Sequence, residues 1–303
     1  MSERRAGGVL TVRAPATSAN LGPGFDAFGL CLDLADVVSA ELTRSGTDVA
    51  IAGEGAGVLP RDDAHLVVSA IRHAFDVWGL PQPGLRLECR NAIPQGRGLG
   101  SSAAAIVAGL RLAEALAGDS GPPDPQLLVL GAALEGHADN VAACLLGGLS
   151  IAWQDDGVPS AVRLDVDDAV SPVVFCAARP MATVVSRALL PELVEHRAAS
   201  ANAARAGLLA VALTGRPDLL LPATHDLIHQ DFRRAAMPES MALVDELRAT
   251  GVPAVISGAG PSVLALCSAA GAAELTQRTW AGWRVLPLSV DPLGARQIGR
   301  DVG

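Results

Sequence analysis

Residues 94–105 read PQGRGLGSSAAA. Glycine occupies every second position from Gly96 to Gly100, two serines follow, and an alanine-rich run begins. The start of a helix leaves N–H groups unpaired and carries partial positive charge. Gly96, Gly98 and Gly100 let a backbone approach an anion closely and adopt positive φ. Ser101 and Ser102 add hydroxyls able to donate to that anion or to ligate a metal. Read this way, the stretch is a phosphate cradle built without lysine. The same residues also describe a tight glycine turn with a serine N-cap, and taken alone they leave both readings open.

Composition narrows the choice. The chain has 303 residues, 50% of them hydrophobic and 18% charged, which is the balance of a folded globular protein. Its net charge of -9 excludes general nucleic-acid binding, which needs a basic surface. All 23 basic residues are arginine. The absence of lysine excludes a Walker A loop, a protein-kinase strand lysine and Schiff-base chemistry. Five cysteines (31, 89, 144, 176 and 267) include no CxxC pair, as expected of buried thiols in a reducing compartment. Neither a signal peptide nor a membrane-length apolar run is apparent, so a cytoplasmic protein without a membrane partner is expected.

Local patterns predict strands over 9–14 (stopped by Pro15), 30–43, 47–55, 84–94, 147–153, 171–178 and 283–290. They predict helices over 62–79 (begun at Asp62 or Asp63), 101–117, 124–137, 139–146, 192–214, 224–230, 241–251 and 271–282. Two short strands flank a glycine turn within 252–269. The mixture argues for an α+β protein, divided where the pattern shifts, into 1–160 and 161–303.

Three further segments carry polar chemistry. PATSANLGPGFDAFG, 15–29, reads as a glycine-rich loop in which Asn20 and Asp26 could satisfy an ammonium or a hydroxyl. Asx turns are the plainer account of either residue alone. SGAGPSVLAL, 257–266, reads as a second such loop or as a hairpin turn. LEGHADNVAACLLGG, 134–148, places Glu135 two residues before His137 and four before Asp139. Glu135 with a serine hydroxyl suits Mg²⁺, which takes few protein ligands and prefers oxygen. A transition-metal cluster is the weaker reading, because no HExxH or cysteine pair accompanies it.

Taken together, PATSANLGPGFDAFG, IPQGRGLGSSAAA and ISGAGPSVLAL, in this order, resemble the three motifs of the galactokinase–homoserine kinase–mevalonate kinase–phosphomevalonate kinase (GHMP) superfamily. SANLGPGFD and EGHADNV resemble its homoserine kinase branch. The resemblance spans essentially the whole chain. It implies a two-domain GHMP kinase fold. The N-terminal half would be similar to domain 2 of ribosomal protein S5, with a left-handed β-α-β element, and the C-terminal half ferredoxin-like. The active site would lie in the cleft between them. The activity implied is transfer of the ATP γ-phosphoryl group to the side-chain hydroxyl of L-homoserine, with Mg²⁺. The product, O-phospho-L-homoserine, feeds threonine biosynthesis, and the family also implies a homodimer.

Carried over by position, Pro94, Gly96, Arg97, Gly98, Leu99, Gly100, Ser101, Ser102 and Ala103 match the nucleotide loop. Ser102 and Glu135 match the Mg²⁺ contacts. Asn20, Asp26 and His137 match substrate positions, with Asp26 on the ammonium, and Arg187 and Arg233 match the carboxylate arginines. Asp139 and Asn140 join Ser102 as the catalytic group, and adenine contacts are expected around 60–66. The chain departs from the family at Ala138, usually proline, at Ala35 and Phe232, often tyrosine, and at Ala133, often acidic.

Overall fold

The computed structural model describes residues 8–118 and 124–301. Strands β1 (Val9–Asn20) and β2 (Gly24–Thr43) form one long antiparallel hairpin. Pro15 was expected to end the first strand and 15–29 to be a loop; instead β1 runs past Pro15 to Asn20, and β2 takes up the chain again at Gly24. The register shifts between Pro15 and Ala16, and a bulge is where a strand accommodates a residue lacking an N–H. The apparent loop shrinks to a turn at Leu21–Pro23, in which Asn20, Leu21 and Gly22 have φ of 70°, 50° and 83°.

β3 (Thr47–Gly53) and β4 (Gly84–Asn91) pair in parallel, joined by α1 (Leu66–Val77). This helix starts later than expected, because the Asp62 carboxylate turns back to accept the N–H of Ala64. α2 (Ser101–Ala117) occupies the expected span. Its Gly109 lets α1 pack close, since a Cβ there would lie 2.5 Å from the Val67 carbonyl oxygen. α3 (Asp124–Glu135) and α4 (Asp139–Leu146) follow. A hairpin of β5 (Leu149–Asp155) and β6 (Val158–Leu164) then joins the sheet where β5 pairs with Phe28–Leu30 of β2. The tip of this hairpin is the two-residue turn Asp156–Gly157.

The chain then enters a second unit. In order, it contains β7 (Ser171–Ala177), α5 (Thr183–Arg187), α6 (His196–Gly215), α7 (Leu220–Ala223) and α8 (Pro238–Ala249). β8 (Ala254–Ile256), β9 (Val263–Cys267), α9 (Ala269–Gln277) and β10 (Trp283–Pro287) complete it. Its antiparallel sheet has the order β10-β7-β9-β8. Residues 224–230 were expected to be helical and are not. Asp226 accepts the backbone N–H groups of Ile228, His229 and Gln230, so a side chain replaces the bonds a helix would make.

β11 (Arg296–Asp301) returns to pair with β1, so the first sheet runs β11-β1-β2-β4-β3 with β5 and β6 attached through β2. The division expected at 160/161 falls inside β6, and the first sheet draws strands from both sides of it. A large core of mainly Ala, Leu and Val lies between this sheet and its helices and continues into the second unit at Val174, Leu213, Val255 and Leu264. A smaller one, around Phe175, Met241, Leu247 and Ile256, supports the second sheet. Among the described residues, no helix is long and apolar enough to cross a membrane.

Candidate active site

The three small-residue segments converge on one cleft. The carbonyl of Leu99 accepts the N–H of Thr17 at 3.1 Å. The Ser257 hydroxyl donates to the Gly98 carbonyl at 2.6 Å and lies 2.8 Å from the Ser18 hydroxyl. Gly258 N–H reaches the Ala19 carbonyl at 3.1 Å, and the Asn20 amide donates back to the Gly258 carbonyl at 2.8 Å. Glycine is required where these backbones touch. Gly98 has φ 71°, and a Cβ there would lie 2.2 Å from the Ser257 carbonyl oxygen. Gly100 has φ 66°, and its Cβ would lie 2.0 Å from Thr17 Oγ1.

The cleft encloses about 260 Å³, and the N-terminus of α2 forms part of its wall. Gly100, in a left-handed conformation, occupies the cap position, and no side chain caps the helix. The serine N-cap is therefore not what this sequence builds: Ser101 and Ser102 are the first helical residues, and their N–H groups lack helical partners. Pro94, Leu99 and Ala103 are buried, outside the cleft lining. Arg97 turns away as well, donating to the carbonyls of Gln95, Ala177 and Ala178.

Ser102 donates to Glu135 Oε2 at 2.6 Å. Burial lifts the Glu135 carboxyl above its usual range, against the opposing pull of the Ser102 hydrogen bond and His137. His137 Nδ1 lies 2.6 Å from Asp139 Oδ1, which also accepts the Asn140 N–H at 2.8 Å. Burial lowers the His137 pKa, but the Asp139 hydrogen bond and charge outweigh it and leave it raised. Asn140 in turn accepts the Thr17 hydroxyl at 2.7 Å. No group of three or more His, Cys, Asp or Glu side chains is placed to hold a metal ion among the described residues.

The second unit supplies the facing wall. Arg187 makes a bidentate pair with Asp26, at 3.0 and 2.6 Å, and this bond raises its pKa. Arg233 is 1% exposed and lines the cleft without a carboxylate partner among the described residues. Burial and the nearby Arg187 charge lower its pKa. Asn20 also lines the cleft, with its side-chain oxygen bonded to the Asp26 N–H at 2.9 Å.

A second, more apolar cavity of about 200 Å³ shares Gln95 and Ser101 with the cleft, and includes Asp36, Val38, His65 and Ala104 in its lining. Asp36 belongs to none of the motifs read from the sequence. His65 is 4% exposed, and its Nδ1 has no hydrogen-bond partner. Asp36 accepts the N–H groups of Ala92 and Ile93, and burial raises its pKa from 3.8 to about 6. A carboxyl with a raised pKa binds its proton more tightly in the folded state. Its contribution therefore falls as pH rises from about 4 to about 6, by up to ~3 kcal/mol. Asp36→Asn keeps an oxygen acceptor and removes the charge. Urea unfolding at pH 4 and pH 7 should show the variant gaining up to ~3 kcal/mol on the wild type between them. An equal difference at both pH values would count against a buried, ionised Asp36.

Comparison with known proteins places this geometry. The family models "GHMP kinases N terminal domain" and "GHMP kinases C terminal" match residues 65–148 and 202–282. A homoserine kinase of Streptomyces avermitilis is 53% identical, covering 94% of each chain. One from Clavibacter michiganensis is 48% identical, covering 94% of this chain and 92% of its own. The crystal structure of a homoserine kinase from Cytophaga hutchinsonii superposes with a TM-score of 0.85 at 28% identity, covering 98% of this chain and 99% of that one. A mevalonate kinase of Methanococcus jannaschii shares the fold, with a TM-score of 0.71 at 14% identity over 92% of this chain and 98% of its own.

Proposed function

The chain belongs to the GHMP kinase family, and from that membership we propose how its cleft transfers the γ-phosphoryl group of ATP to the side-chain hydroxyl of L-homoserine. The activity is that of a homoserine kinase, the name carried by relatives 44–53% identical over most of the chain. One observation carries the assignment of roles. A buried guanidinium, Arg233, unpaired with any carboxylate among the described residues, lines the same cleft as an uncapped helix N-terminus. These are two separate anion sites, one suited to an amino acid's carboxylate and the other to phosphates.

The phosphates lie against the free N–H groups of Ser101 and Ser102, and the adenine enters the adjoining cavity beside His65. Ser102 and Glu135 fit Mg²⁺, being a hydroxyl and an under-compensated carboxylate 2.6 Å apart with no thiolate beside them. Such an ion supplies neutralisation of phosphate charge. Asp26 and Arg187 satisfy each other. A zwitterion separates them, with its ammonium on Asp26 and its carboxylate on Arg187 and Arg233, and so exchanges one ion pair for two. These contacts fix the hydroxyl toward the phosphates, and phosphoryl transfer depends chiefly on such positioning and on electrostatics.

Asp139 is the candidate acceptor of the hydroxyl proton. It lines the cleft, and its Oδ2 has no protein partner among the described residues. Asp139→Asn should lower kcat by about 10²–10⁴ with little change in the homoserine KM. A fall of less than tenfold removes the base and leaves direct attack by the hydroxyl. The function itself is tested by ADP release from Mg²⁺-ATP with L-homoserine, mevalonate, galactose or L-serine. Turnover with L-homoserine alone is expected. Turnover only with another acceptor would overturn the roles of Asp26, Arg187 and Arg233. We further propose a cytoplasmic homodimer, on the family resemblance; light scattering checks the dimer.

A further inference from the structure

His229 belongs to none of the motifs, yet it is fully buried beside the substrate arginines. Its Nε2 lies 2.7 Å from the Gly22 carbonyl oxygen, and its Nδ1 lies 3.1 Å from Arg233 Nη1. A carbonyl can only accept and a guanidinium can only donate. Nε2 must therefore carry the proton, and Nδ1 must present its lone pair. The two neighbours fix one neutral tautomer. A second ring proton would point at the Arg233 N–H, and burial independently lowers the His229 pKa. The charged groups around the ring are Asp226, Arg233, Arg187 and Asp26.

The ring is also held on its face. Phe25 stacks on it with centroids 4.9 Å apart at 27°. The Cζ atoms of Arg187 and Arg233 lie 5.8 and 5.5 Å from the Phe25 centroid. Arg233 donates Nε to the Ser186 carbonyl at 3.3 Å and Nη1 to His229. Its Nη2 has no protein partner among the described residues, and the side chain lines the cleft.

We propose that His229 is a positioning residue for the substrate carboxylate. Its bare Nδ1 takes one edge of the Arg233 guanidinium and turns the remaining N–H groups toward the cleft, while Gly22 and Phe25 hold the imidazole in place. The inference rests on the homoserine reading. It adds a link between the β1–β2 turn, which leads into Asp26 at the start of β2, and the second unit, which carries Arg233. Both ends of the zwitterion site are thereby set by one hydrogen-bond chain, Arg233 to His229 to Gly22.

The test compares His229→Leu with His229→Asn, whose side-chain oxygen can replace the Nδ1 acceptor. His229→Leu should raise the homoserine KM by about 10–100-fold, the effect of misaiming one charge-assisted bond, and leave the ATP KM within about twofold. His229→Asn should recover most of that loss. Melting curves establish that both variants fold. An unchanged homoserine KM in His229→Leu, or an Asn variant no better than Leu at equal stability, would overturn the proposal. Nitrogen-15 spectra of the wild type supply a readout independent of turnover, with one protonated and one bare ring nitrogen expected. A doubly protonated ring would equally overturn it. If the wild type does not phosphorylate L-homoserine, the substrate reading fails, while the tautomer and the Arg233 bond are still decided by the spectra.

Discussion

Gly100→Ala should reduce kcat/KM for ATP by about 10³ or more and lower the melting temperature. Two costs combine. An alanine held at φ 66° is strained by about 1–2 kcal/mol. The larger cost is space, because the new Cβ would sit 2.0 Å from Thr17 Oγ1 and 3.1 Å from Asn140 Oδ1. Thr17 is fully buried on β1 and bonded to Asn140, so it has nowhere to retreat. The loop must move instead, and the N-terminus of α2 moves with it. A displacement of about 1 Å at a positioning element costs on the order of 10²-fold, to which weaker phosphate binding adds. Gly157→Ala is the control. Its φ is 79° but nothing lies within 4 Å of the new Cβ, so only the strain of about 1–2 kcal/mol should appear. Calorimetric ATP binding and thermal melts separate the two. Normal ATP binding by a folded Gly100→Ala protein would show that this loop is not the phosphate cradle.

Arg233→Met should separate stability from function. The native guanidinium is buried with no carboxylate paired to it among the described residues, which is an expensive arrangement for the protein by itself. Methionine has a similar apolar reach and no charge to desolvate. The melting temperature should therefore not fall, even though His229 loses a donor. The homoserine kcat/KM should drop by about 10²–10³, as when one member of a buried charge pair is removed, with ATP binding retained. A destabilised variant with an unchanged homoserine KM would make Arg233 a structural cation rather than a substrate contact.

How much of this was legible depended on how local the governing interactions are. α2 could be read from end to end because its signals are adjacent: Gly100 before it, alanines along it and Gly118 after it. α4 was equally plain, lying between Ala138 and Gly147. Residues 15–29 misled because glycines and polar side chains describe a loop to any local rule. What makes them a hairpin is the pairing of β1 with β2 and burial under α2 and α4, neither of which is encoded nearby. Residues 224–230 misled for the opposite reason: apolar spacing suggested a helix, and the single carboxylate of Asp226 diverted it. β11 carried no local signal that its partner would be β1. In the candidate site, the glycine loop and its serines announced themselves. His229, Asp36 and the orphaned Nδ1 of His65 did not, because their significance lies in burial and in partners far along the chain.

The return of β11 has a mechanical consequence. The second unit is attached to the first sheet by two covalent crossings, one from β6 to β7 and the other from β10 to β11. Both are braced, the first by Asp167 N–H on the Leu213 carbonyl and the second by Leu32 bridged to Val290. Between the crossings a single apolar core passes from one unit into the other, with Leu213, Val255 and Leu264 in the same cluster as Leu10 and Leu30. The units are therefore stitched at both ends and filled through the middle, and Arg187 is set against Asp26 by the whole body rather than by one flexible joint.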